Sequence, residues 1–141
     1  MLGFGVKETR LLQALRGGAV YNAARGLLEP RPRGGAYQDL KVARSWERHH
    51  MPADSESPLS TGKGPAITMR SLDHLLLPST GSSAYAQMFR ALQSELILDG
   101  QIEVAQDLEV AEIRAFFGTR YDSAILEMQW NTAVLRARGE L

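Results

Sequence analysis

The apolar positions of this chain change period along its length. Residues 7–16 place Leu11, Leu12 and Leu15 on one side of a helix, and Gly17-Gly18 ends the pattern. Residues 19–28 suit a second short helix that stops before Pro30. Two short helices without a long apolar face make a poor core alone. With the basic, Pro/Gly-rich stretch Pro30-Arg-Pro-Arg-Gly-Gly35 after them, residues 1–45 read as a leader and flexible linker. Residues 46–83 lose the helical period. They hold all three histidines and four of the six prolines (Pro52, Pro58, Pro65, Pro78). One short strand is expected to run into His49-His50. Another, residues 66–70, alternates apolar and polar positions after Gly64-Pro65. The irregular loop between them is long for a compact domain, and loops of that length are more often functional than neutral. Ser71 is placed to cap a short helix carrying Asp73 and His74, which Pro78 stops early.

From Ser82 the chain turns helical. Ser82 or Ser83 caps a first helix with Met88, Phe89, Leu92, Leu96 and Ile97 inward and Gly100 at its end. A second spans residues 102–117 with Ala105, Leu108, Ile113, Phe116 and Phe117 inward, closed by Gly118. A third runs from about residue 121 to about residue 138 on a stripe of Tyr121, Ala124, Ile125, Met128 and Leu135. These stripes are core material. The expected class is α+β, mainly helical, with a small hairpin and about three C-terminal helices. Residues 46–141 form the main domain.

Composition narrows this reading. At 141 residues with 44% hydrophobic and 23% charged residues, the chain matches one folded domain with an appendage. No cysteine is present, which excludes disulfides, cysteine zinc knuckles and thiol nucleophiles. No apolar run approaches the ~18 residues that span a membrane, and the first residues lack the layout of a signal peptide. Sixteen Lys/Arg balance sixteen Asp/Glu. A zero net charge argues against a nucleic-acid binder, but the average hides a split. Residues 1–50 carry nine bases and four acids, and residues 51–141 carry seven bases and twelve acids. The positive share runs up to the histidine pair, so a local cationic groove is compatible with a neutral total.

The histidines carry the chemistry. Two are adjacent, and the third follows 24 residues after His50, across a loop and a strand. A neutral imidazole binds divalent transition metals and titrates near neutral pH as a general base. A ββα hairpin would bring the three together, with His49 and His74 on a metal and His50 taking a proton from water. The plainer reading has His49-His50 at a strand end and His74 on a helix surface. Arg44, Arg48, Lys63 and Arg70 flank the histidines and suit phosphate-backbone contacts, or equally a solvated surface. Trp46 could stack on a base but is better read as core.

Arg48-His49-His50-Met51-Pro52-Ala53-Asp54, Gly62-Lys63-Gly64-Pro65-Ala66-Ile67-Thr68-Met69, Asp73-His74 and Gly81-Ser82-Ser83 resemble the HNH/endonuclease VII superfamily. They are most similar to the double-histidine nuclease domains at the C-termini of bacterial polymorphic (Rhs-type) toxins. The resemblance covers about residues 45–130, including the helical tail. It implies a His-Me finger (ββα-metal) core and hydrolysis of DNA phosphodiester bonds with one divalent metal ion (Mg, Mn, Zn or Ni). It further implies metal ligands at His49 and His74, Asp73 as a ligand or an orienter of one, and His50 as the general base. An antibacterial toxin or effector of this kind implies a carrier protein, delivery by a specialised secretion system into a target-cell cytoplasm, and an inhibitor (immunity) protein in the producer. Two positions depart from the pattern. Leu77 and Pro78 stand where many HNH sites place a further His or Asn, so waters or Asp73 would complete the shell. The competing expectation is a non-catalytic binding or structural module of a phage or secretion system, with a decayed site on the same fold.

Overall fold

A computed structural model describes residues 30–141, of which Pro32–Leu141 form one compact unit. The two leader helices expected over residues 7–16 and 19–28 lie outside the described residues. The elements run β1 (Gly34–Ala36), a 3₁₀ turn (Tyr37–Asp39), β2 (Trp46–His50), a second 3₁₀ turn (Asp54–Glu56) and β3 (Pro65–Arg70). Four helices follow: α1 (Ser71–Leu76), α2 (Ala84–Leu98), α3 (Ile102–Phe117) and α4 (Asp122–Ala137). Over the described residues the class is α+β, with four helices and a three-stranded antiparallel sheet in the order β1-β3-β2. Among the described residues no helix is long and apolar enough to cross a membrane.

β3 is the central strand, and its first five residues are buried. β2 pairs along it from Trp46 opposite Arg70 to His50 opposite Ala66. α1 leaves the end of β3 directly, so hairpin and helix form one ββα unit. Ser71 is its first helical residue rather than its cap; Arg70 stands at the cap position without a side-chain bond. Ile67 and Met69 of β3 join Met51, Leu77, Val110, Ile113, Tyr121, Ala124, Ile125 and Met128 in one core, with Trp46 and Phe117 packed on its edge.

The folded unit starts earlier than the expected boundary at residues 45/46. The stretch read as a flexible linker supplies β1, which pairs Gly34 with Ile67 and lies against α4. Gly34 makes that approach possible: a Cβ there would sit 1.9 Å from the Ala124 carbonyl oxygen. Its amide donates to Glu127 Oε2 at 2.8 Å, and the neighbouring Arg33 amide donates to Thr68 Oγ1 at 2.8 Å.

The helices begin and end close to where the sequence places them. Ser83 caps α2, its hydroxyl accepting from the Ala86 amide at 3.0 Å. The buried faces differ. On α2 the buried residues are Ala86 and Gln93, while Met88 and Leu92 are exposed. On α3 they include Gln106, Glu109 and Glu112 beside Ala105, Val110 and Ile113, while Phe116 is exposed. α4 keeps its predicted stripe: Tyr121, Ala124, Ile125, Met128 and Leu135 are all buried.

The buried polar groups are mostly paired, as their desolvation requires. Gln106 donates to the Met51 carbonyl at 2.9 Å and to Thr132 Oγ1 at 2.8 Å, tying α3 to the end of β2 and to α4. Tyr121 Oη donates to Asp73 Oδ2 at 2.5 Å and accepts from the Arg70 amide at 3.1 Å. Burial pushes the Tyr121 phenol up to about 12. Tyr121→Phe removes both bonds and leaves Asp73 short of a donor in the interior. We expect a loss of about 2 kcal/mol, read as a melting temperature lower by roughly 8 °C in a circular-dichroism melt.

Candidate functional site

Strand alternation decides where the two adjacent histidines go, because successive residues of a strand face opposite ways. Glu47 and His49 share one face of β2 and both meet His74 of α1. The His49 and His74 rings lie edge to face with centroids 5.0 Å apart. His74 Nδ1 lies 2.6 Å from Glu47 Oε2. Arg48 and His50 share the other face and both meet Tyr37. The His50 ring stacks on the Tyr37 ring at 4.0 Å and 9°, and the Arg48 guanidinium lies 4.0 Å from the same ring. The trio is thus divided: His49 with His74, and His50 on its own support.

That support fixes the tautomer of His50. Its Nε2 is 2.9 Å from the Thr61 carbonyl oxygen. A carbonyl only accepts, so Nε2 carries the proton and the lone pair lies on Nδ1. Gly64 leaves room for the ring, since a Cβ there would meet His50 Cδ2 at 2.9 Å. Asp54 Oδ1 stands 3.8 Å from Nε2. The long loop after β2 therefore serves to hold this imidazole.

A cavity of about 290 Å³ opens beside the histidines, lined by His49, His50, His74, Arg48, Arg90 and Glu109 together with Thr80 and Gln93. His49 is largely buried. Burial first, then the neighbouring His74 and His50, pull its pKa down to about 3. Its Nε2 faces Glu109 Oε2 of α3 at 3.9 Å, beyond hydrogen-bond reach, and both atoms are buried without a partner. Burial pushes the Glu109 carboxyl up to about 8.

These two shifts set a pH dependence of stability for the metal-free chain. The unfolded chain ionises Glu109 above about pH 4.5, whereas the folded chain keeps the proton to about pH 8, so stability falls as pH rises through that window. The unfolded chain protonates His49 below pH 6.5, whereas the folded chain resists to about pH 3, so stability also falls as pH drops through that window. The melting temperature in excess chelator should peak between pH 4.5 and 6.5. Toward pH 8 it should decline by roughly 5 °C per unit at the steepest, and Glu109→Gln should flatten that alkaline limb. An unchanged limb in the variant would show that Glu109 is not its source.

The remaining expected site residues divide in the same way. Asp73 and His74 are consecutive on a helix and so point in different directions. Asp73 does not line the cavity. Its Oδ2 takes the Tyr121 hydroxyl and the Arg120 guanidinium at 2.8 Å, a structural role between α1 and the start of α4. Of the four expected phosphate contacts only Arg48 lines the cavity, held by its bond to the Tyr37 carbonyl at 3.2 Å. Lys63 pairs with Glu140 at 3.2 Å, Arg44 is exposed, and Arg70 is exposed at the end of β3. Arg90, which sequence reasoning missed, lines the cavity from α2 and donates to the Gly81 carbonyl at 2.9 Å.

The donor set suits a divalent cation in part. Two buried ligand-type atoms lack partners, and His74 has Nδ1 engaged by a carboxylate, which leaves the lone pair on Nε2, the arrangement common in metal-binding histidines. Among the described residues, no three His, Asp or Glu side chains stand close enough to form a ready-made shell. Comparison of the chain with protein-family models, curated proteins and solved structures gives no match.

Proposed function

We propose that this chain is a metal-dependent endonuclease of the ββα-metal type, acting on DNA as an antibacterial toxin or effector domain. The observation that carries the reading is the division of labour across β2. His50 has its lone pair fixed on Nδ1 by a backbone carbonyl, one residue from a histidine that pairs with His74 beside a polar cavity. A general base must be held in the right tautomer, and the Thr61 carbonyl does so without adding a charge.

In this reading His49 and His74 hold the cation, and Glu47 orients His74 through Nδ1. When bound, the cation would supply charge stabilisation to the scissile phosphate and its leaving oxygen. Arg48 and Arg90 position the phosphate at the cavity. His50 Nδ1 takes a proton from the attacking water as its oxygen bonds to phosphorus, and the leaving oxygen departs with the bonding pair. The toxin setting, the carrier and the inhibitor protein rest on the resemblance of residues 45–130.

The test is cleavage of supercoiled plasmid and of a structured RNA by the full chain, with Mg²⁺, Mn²⁺, Zn²⁺ or Ni²⁺. We expect the plasmid to be nicked and the RNA to be cut more slowly. Binding of metal with both substrates left intact would describe a non-catalytic binding module instead.

A further inference from the structure

The described residues contain five buried side-chain N or O atoms without a hydrogen-bond partner: His49 Nε2, Thr80 Oγ1, Gln93 Oε1, Glu109 Oε2 and Asn131 Nδ2. The first four all belong to residues lining the cavity beside the histidines. Burying such atoms unpaired is costly, and a fold tolerates few of them. Their concentration at one cavity means that something polar completes them there.

Their chemistry narrows what that is. Gln93 Oε1 accepts only, since the amide nitrogen of the same side chain already donates to the Ala105 carbonyl at 3.1 Å. Glu109 Oε2 accepts only once its carboxyl has given up the proton, as binding a cation requires, His49 Nε2 is an acceptor when the ring proton is on Nδ1, and Thr80 Oγ1 can serve either way. With that proton displaced, the cluster of lone pairs suits a cation. His49 Nε2 and Glu109 Oε2 lie 3.9 Å apart, a gap that two metal–ligand bonds of about 2.1 Å can bridge.

We infer that Glu109 is a direct ligand of the divalent cation opposite His49, with Gln93 Oε1 beside it, so that the α2–α3 pair outside the ββα unit completes the metal site. This takes the place that the sequence offers to Asp73, whose carboxylate is spent on Tyr121 and Arg120. It also accounts for the buried acid in the middle of α3, which no hydrogen bond to Oε2 explains. The inference rests on the metal-dependent reading above, but not on cleavage.

The experiment is calorimetric titration of the chelator-stripped full chain with Mn²⁺ and with Zn²⁺, comparing wild type, Glu109→Gln and Asp73→Asn. Circular dichroism on each confirms folding. Wild type should bind one ion, Glu109→Gln should bind it at least tenfold more weakly, and Asp73→Asn should keep wild-type affinity at a lower melting temperature. A folded Glu109→Gln with wild-type affinity would overturn the assignment, as would a wild type that binds neither ion. Plasmid nicking in parallel separates the two claims. Metal bound through Glu109 with DNA left intact keeps this inference and removes the nuclease, whereas nicking with affinity indifferent to Glu109→Gln does the reverse.

Discussion

Alanine at His50 should reduce DNA cleavage by about 10²–10⁴-fold, the range that a positioned general base contributes. The melting temperature should stay within a few degrees of wild type. The expectation follows from how the ring is held. Its Nε2 proton is committed to the Thr61 carbonyl and its face to Tyr37, so Nδ1 is left to accept. Metal affinity should be unchanged, because His49 and His74 meet on the other face of β2. Single-turnover cleavage with saturating enzyme separates this from a binding defect. Full activity in His50→Ala would remove the base from the mechanism.

Gly34→Ala should have the largest effect on folding. The added carbon would sit 1.9 Å from the Ala124 carbonyl oxygen and 2.7 Å from the Met128 amide nitrogen, both backbone atoms in a helix turn that cannot yield separately. β1 cannot slide away either. It is pinned by the Gly34 amide to Glu127, by Arg33 Nε to the same oxygen at 2.9 Å, and by the Arg33 amide to Thr68. The strand must detach from α4 or the helix must deform. We expect a loss of at least about 3 kcal/mol, visible as a melting temperature lower by more than about 12 °C. A melt within about 2 °C of wild type would mean that β1 is not integral to the fold.

The frame of the molecule was legible because its signals are local. Ser83, Gly100 and Gly118 bound the helices, Pro65 and the alternation after it mark β3, and the apolar stripe of α4 has a clean helical period. β1 was not legible: Gly34-Gly35-Ala36 has no alternation to read, and its reason for being a strand is the absence of a side chain against α4. The expected inward faces of α2 and α3 hold only in part (Ala105 and Ile113 are buried and Phe117 packs on the core), because part of the interior is polar. Gln93, Gln106, Glu109 and Glu112 occupy buried positions that a hydrophobic count gives to solvent, and Met88, Leu92 and Phe116 are exposed instead. The same blindness hid Glu109 and Gln93 from the site.

His49, His50 and His74 were identified by their residue type and spacing, and the fold sets His49 against His74 across the hairpin and helix. Their division between two faces of β2 follows from period-2 alternation. The supports of His50 do not: Thr61 acts through its backbone carbonyl, which no residue type encodes, and Tyr37 lies in the stretch assigned to the leader. Asp73 is suggested by its adjacency to His74, but adjacent residues on a helix diverge, and Arg120 and Tyr121 claim its carboxylate from 47 and 48 residues away in the chain.

The zero net charge sets the expectation for substrate affinity. Arg48 and Arg90 bring positive charge to the cavity, but the whole molecule has no cationic surplus to draw in nucleic acid. Binding should be weak and should weaken further as salt is added, which favours assays at low ionic strength.

The most direct measurement of the central claim is a plasmid-nicking time course at low salt on the chelator-stripped full chain, with metal added back stepwise. The supercoiled plasmid should stay intact in excess chelator, and nicking should rise with added Mn²⁺ or Zn²⁺ and saturate as one ion per chain is bound. Undiminished nicking in chelator, or intact plasmid at saturation with every metal tried, would contradict that claim.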